Sequence, residues 1–181
     1  MLSANKKNIF VTTKDNKSWQ GFTLVELLVV MAIIGVLSAL AVGSFRTAQM
    51  RGRDAQRKSD LKQIAHSLEL FYSDYGKYPD ATGTSIAACP YPVGTACTWG
   101  AEEFRDSRGT TYFKVMPKDP TSNFNYVYRV VPSSSNQKYQ LFAKLENSQD
   151  KDLNLTITNN GCGGTGNCNF AVTSANTNPT E

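Results

Sequence analysis

The sequence predicts an α+β fold: one long N-terminal α-helix packed on a small antiparallel β-sheet, with disulfide-tied loops. Three observations predict it. Leu27 to Phe45 is a run of 19 residues with no charge. After it Leu61, Ile64, Ala65, Leu68, Phe71, Tyr72 and Tyr75 recur at three- and four-residue spacing, the period of an amphipathic helix. β-forming residues then gather in Tyr126–Val131 and Tyr139–Leu145, on either side of a hairpin loop PSSSNQK. With 181 residues, 40% hydrophobic and 19% charged, the chain has room for one domain and an appendage, and its composition is not that of a disordered protein.

The apolar run comes first. At ~1.5 Å of rise per residue it spans ~28 Å as a helix, close to the ~30 Å hydrocarbon layer of a bilayer. A helix on a soluble core shows one apolar face, whereas this run is apolar all round, so it reads as membrane-inserting. The mean hydropathy of −0.35 places the other segments in water. No Pro interrupts the residues that follow, so one helix is expected from about Phe22 to about Tyr75, with Gly76 and Pro79 as its stop. Gly43 followed by Ser44 is its weak point, because a Gly/Ser pair is a kink site. Asp54 and Asp60 interleave with Arg53, Arg57 and Lys58, which reads as a solvated helix face with i, i+3 and i, i+4 ion pairs.

Residues 80–125 are rich in Gly, Pro, Thr and Ser and read mainly as loop. Leu153–Thr158 and Phe170–Thr173 are weaker strand candidates, and the tail from Ser174 reads as frayed. Cys89, Cys97, Cys162 and Cys168 allow three pairings, of which the local pairs 89–97 and 162–168 are expected. Gaps of seven and five residues do not suit zinc, and the single histidine, His66, sits in the long helix as a half-exposed surface residue. Disulfides place the head in an oxidising compartment.

Charge and motifs exclude several function classes. The net charge is +4, but residues 1–20 hold Lys6, Lys7, Lys14 and Lys17 against Asp15, or 4 − 1 = +3. The other residues hold 15 basic and 14 acidic side chains, or +1, so no direct nucleic-acid binding is expected. Gly161, Gly163 and Gly166 spell G-x-G-x-x-G, yet no helical period follows, and a tight glycine-rich disulfide loop accounts for them. No catalytic constellation or phosphate loop is visible, so no enzymatic activity is expected. Asn154-Leu155-Thr156 fits a glycosylation sequon.

The residue that asks for chemistry is Glu26. It has no charged neighbour within eight positions on either side, and apolar residues precede as well as follow it. An acid in such a segment marks a partner. A cut between Gly21 and Phe22 would supply one: the new α-amine would lie at i, i+4 spacing from Glu26, or would reach the Glu26 of a neighbouring molecule. A rival reading is an ordinary secretory signal cut at Ala39-Leu40-Ala41, which would leave Val42 as the new terminus.

GFTLVELLVVMAIIGVLSAL (Gly21–Leu40) resembles the class III signal of type IV prepilins and type II secretion pseudopilins. LELFYSDYGKYP, MPKDP (Met116–Pro120) and YQLFAKLEN resemble the same family more loosely. The resemblance implies a pilin-like fold, cleavage after Gly21 by a membrane-embedded prepilin peptidase, and N-methylation of Phe22. It also implies assembly through Glu26 and a neighbour's terminal amine. The organisation that follows is a leader 1–21, a transmembrane and filament-core half-helix 22–45, an amphipathic half 46–75 and a β-rich head 76–181. The implied partners are copies of the chain itself, the peptidase, an assembly ATPase and membrane platform proteins. The leader would face the cytoplasm and the head would lie outside the inner membrane, later in a surface pilus or periplasmic pseudopilus. That orientation comes from the resemblance and the cysteines, because Arg46, Arg51, Arg53, Arg57 and Lys58 follow the span and leave the positive-inside rule ambiguous.

A type IV pilus-like filament is the function expected first. The alternatives are the major pseudopilin of a type II secretion system and a membrane-tethered binding domain that never polymerises. Cys162–Cys168 resembles in position the C-terminal disulfide of many pilins. Many relatives carry a helix-breaking Pro where this chain has Gly43. The major pseudopilins resembled here bind calcium in roughly the region of Asn147, Asp150 and Asp152, which makes these three candidate ligands. They lack EF-hand spacing and read as a solvated acidic loop, so no cofactor is the first expectation.

Overall fold

The computed structural model describes residues 21–181, apart from the side chains of residues 40–42. The leader's lysines therefore lie outside the described residues. Helix α1 covers Leu24–Tyr75 and continues through Gly43 and Ser44. The chain divides into two compact units between Val42 and Gly43.

In the first unit the large apolar side chains from Phe22 to Leu37 are all exposed. In the second, the rest of α1 carries the periodicity that the spacing predicts: Leu61, Ile64, Leu68 and Phe71 are fully buried in one core. Gly76 ends the helix in a left-handed conformation (φ 66°), its N–H donating to the Tyr72 carbonyl at 2.8 Å.

Seven strands follow. Two short antiparallel pairs, β1 (Ala81–Thr82) with β2 (Ser85–Ile86) and β3 (Phe104–Arg105) with β4 (Thr111–Phe113), punctuate the segment that reads as loop. The main sheet is antiparallel, in the order β5 (Val127–Val130), β6 (Tyr139–Ala143), β7 (Phe170–Thr173). The PSSSNQK connection contains a short 3₁₀ turn, Pro132–Ser134, and then Ser135 and Asn136 at positive φ.

The period of two along the strands divides the sheet's residues between two cores. Tyr128, Tyr139, Leu141 and Ala143 share the core of Leu61, Ile64, Leu68 and Phe71. Val127 and Phe142 instead pack with Ile157, Cys162 and Cys168. The C-terminal disulfide thus caps one face of the sheet and the helix residues take the other, which is why all five residues of β6 are buried.

Two expectations are corrected. Leu153–Thr158 forms no strand: the Asn154 side-chain oxygen accepts from the Thr156 N–H at 3.0 Å and its hydroxyl at 2.6 Å, a local turn that competes with a ladder. The tail after Ser174 is tied down rather than frayed. Ser174 and Tyr139 exchange hydrogen bonds, Gln140 Nε2 donates to the Asn178 carbonyl at 2.6 Å, and Lys138 pairs with Glu181.

Candidate functional site

The start of α1 is closed by Thr23 and Glu26. The Thr23 N–H and hydroxyl donate to Glu26 Oε2 at 3.0 and 2.9 Å, and the Glu26 N–H donates back to Thr23 Oγ1 at 3.2 Å. This is a reciprocal capping box, an N-cap Thr with Glu three positions on, which satisfies N–H groups that the first helical turn leaves without partners. The pattern T-x-x-E is plain in the sequence, so Thr23 was legible as Glu26's neighbour, although only Glu26 stands out by its charge. Both contacts use Oε2, and Oε1 accepts nothing among the described residues. Glu26 is the one charged residue from Gly21 to Phe45, in a segment whose flanking apolar side chains Phe22, Leu24 and Leu27 are 84%, 81% and 60% exposed. The helix is long and apolar enough to cross a membrane.

The cysteines pair as expected, Cys89 with Cys97 and Cys162 with Cys168. The glycine-rich loop has a packing reason. A side chain on Gly163 would meet the Asn123 carbonyl oxygen at 2.4 Å and one on Gly164 would meet the Phe124 ring at 2.4 Å, and both residues hold positive φ. That agrees with a disulfide loop and not a dinucleotide cradle. His66 lies on the exposed surface of α1, as expected.

The charged face of α1 departs furthest from expectation. Asp54, Arg57 and Asp60 are buried, not solvated. The Arg57 guanidinium donates to Asp119 through Nε and Nη2 at 2.8 and 2.9 Å, to Asp54 and Glu146 through Nη1 at 2.8 Å each, and to Thr121 Oγ1 at 3.2 Å. Arg53 grips Glu146 with two more bonds, at 2.8 and 2.5 Å. Asp54 also accepts the N–H groups of Glu146 and Asn147 at 2.9 and 2.8 Å, and Asp60 accepts the Tyr126 hydroxyl at 2.6 Å. Burial pulls the Arg57 pKa down, but its bonds to Asp119, Glu146 and Asp54 outweigh that and raise it. Burial raises the Asp60 pKa, while Arg53's bond to Glu146 leads in holding that carboxyl below the usual range. The network pins the helix to the MPKDP turn through Asp119 and to the strand-end loop through Glu146. Sequence reasoning missed it because every long-range partner lies at least 62 residues away. The calcium candidates Asn147, Asp150 and Asp152 lie at the end of this network, with Lys58 between the two aspartates.

These features define a class: an α+β head, tied by disulfides, carried behind an apolar helix capped by Thr and Glu. Residues 20–42 match the prokaryotic N-terminal methylation motif. The type IV major pilin protein PilA of Myxococcus xanthus is 39% identical over 68 residues, 38% of this chain and 31% of that protein. The type II secretion system core protein G of Pseudomonas aeruginosa is 30% identical over 109 residues, 60% of this chain and 72% of that protein. The type IV major pilin protein PilE1 of Neisseria gonorrhoeae is 28% identical over 75 residues, 41% and 46% of the two chains. The chain thus spans about a third of the Myxococcus pilin. No solved structure matches the chain significantly. The chain belongs to the type IV pilin and type II secretion pseudopilin family.

Proposed function

We propose that this chain is a structural subunit of a type IV pilus-like filament. It is made as a prepilin, cut after Gly21, N-methylated at Phe22 and polymerised from the inner membrane. The observation that carries the reading is Glu26: a single carboxylate in an otherwise uncharged segment with exposed apolar side chains, held from one side by Thr23 and with Oε1 left for a cation. The α-amine of Phe22, freed by the cut, supplies that cation, in the same subunit or its neighbour. Pairing neutralises a charge that costs about 2.5–3.5 kcal/mol at a bilayer centre, an upper bound for a residue near one edge. The exposed apolar side chains then pack against those of neighbouring copies and leave lipid for the filament core.

The chain carries no phosphate loop, so a separate ATPase and membrane platform drive extraction. The leader stays cytoplasmic while the disulfide-tied head lies outside. The subunit itself performs no catalysis.

A second reading is the major pseudopilin of a type II secretion system. What favours it is that the Pseudomonas core protein G aligns over 109 residues, against 68 for the Myxococcus pilin. Sequencing the mature amino terminus and imaging fibres by electron microscopy test the proposal. Phe22 as first residue, with Glu26→Ala processed normally but forming no fibres, is the expected result. A mature terminus at Val42, or normal fibres from Glu26→Ala, overturns it. Long surface fibres mark the pilus, and short periplasmic ones the pseudopilus.

A further inference from the structure

The family resemblance implies calcium near Asn147, Asp150 and Asp152, and the side chains present there do not suit it. Ca²⁺ takes six to eight oxygens at roughly 2.3–2.6 Å. Lys58 Nζ stands 2.6 Å from Asp150 Oδ1 and 2.7 Å from Asp152 Oδ2, in the space an ion bridging the two carboxylates would need. Asp150 Oδ1 also accepts the Asp152 N–H at 2.9 Å. The third candidate is committed elsewhere: Asn147 Oδ1 accepts the Gln149 N–H at 3.2 Å, and its own N–H donates to Asp54 at 2.8 Å. Among the described residues no group of three or more His, Cys, Asp or Glu side chains is placed to hold a metal ion.

We infer that the Lys58 ammonium is the resident cation of the 147–153 loop, and that the head takes up no divalent ion there. This goes beyond the filament reading and does not depend on it. The lysine does what a bridging metal would do: it neutralises two facing carboxylates and ties the loop to another element. It reaches the loop from α1, 92 and 94 residues earlier in the chain, and also lies 5.7 Å from the centre of the Phe170 ring on β7. One side chain thus joins the helix, the acidic loop and the main sheet. Burial lowers the Lys58 pKa, but its bonds to Asp150 and Asp152 outweigh this and raise it, and the same contact leads in lowering that of Asp150. Because the cation is part of the chain, its contribution does not vary with free metal concentration, unlike that of a bound ion.

The test uses the full-length chain in detergent micelles. Thermal unfolding is followed by circular dichroism in millimolar CaCl₂ and in EGTA, and CaCl₂ is titrated into the protein by calorimetry. The expected result is coincident melts and no saturable binding. Lys58→Met should lower Tm by about 2–8 °C in both buffers, as for loss of a partly screened ion pair, and Lys58→Arg should recover most of the loss. A lower Tm for the wild type in EGTA, one-to-one calcium binding, or a Lys58→Met melt identical to wild type overturns the inference. Should Lys58→Met fail to accumulate, the calcium measurements on the wild type still decide, and Asp150→Asn with Asp152→Asn removes the same two ion pairs from the other side.

Discussion

Removing the Arg57 guanidinium should be among the most destabilising single changes in the head. Arg57 and its partners Asp54 and Asp119 have side chains 0–1% exposed, and Glu146 is 18% exposed. In Arg57→Met the three carboxylates keep their positions but lose four charge-assisted bonds of 2.8–2.9 Å. Breaking a buried ion pair by deleting one partner costs about 3–5 kcal/mol, because the other charge is left uncompensated in a poorly solvating interior. Arg53 retains its hold on Glu146, so the stranded charge is chiefly that of Asp54 and Asp119, and the lower part of that range is expected. For a head of this size the loss corresponds to a Tm drop of about 10–20 °C. The assay is thermal unfolding of the full chain and of Arg57→Met at neutral pH.

A deficit below about 1 kcal/mol would refute the reasoning, because it would show that the carboxylates are solvated after all.

Further outcomes can be checked on the same preparation. Replacing Cys162 and Cys168 with Ser should cost roughly 2–3 kcal/mol by freeing a short loop in the unfolded chain, measured as a lower denaturant midpoint; an unchanged midpoint would mean the core of Val127, Phe142 and Ile157 holds the loop unaided. Asp106 offers an acid-side test. Burial alone would raise its pKa, but bonds from the Tyr75 hydroxyl, the Thr110 amide and Arg108 bring it down to about 2. Its stabilisation is therefore present above the ordinary carboxylate range and lost as pH falls toward 2, so Asp106→Asn should flatten the decline in Tm between pH 4 and 2. An equally steep decline in the variant would assign the acid sensitivity to other carboxylates.

Much of this protein is local in origin. The helix from Leu24 to Tyr75 follows from the charge-free run and the three-to-four spacing after it, both readable within a few turns. β5 and β6 follow from concentrated β-forming residues around one turn, and the two disulfides from cysteines separated by 8 and 6 positions. Glu26 is conspicuous for the same reason, since a lone acid in an apolar segment can be seen without any fold. The short strands β1–β4 were not legible, because two- and three-residue ladders are too brief to show a period.

The sequence by itself determined the long apolar helix, the class of the fold and the lone carboxylate at the start of that helix. The tertiary structure alone decided which charges of α1 are interior. By spacing, Asp54, Arg57, Lys58 and Asp60 are a solvated face with ion pairs one turn apart. In the folded head, Arg57 meets Asp119 from 62 residues away and Lys58 meets Asp150 from 92 residues away. A charge is stable in the interior only where opposite charges and hydrogen bonds replace the water it loses. Those partners come from distant loops, so no local pattern records them.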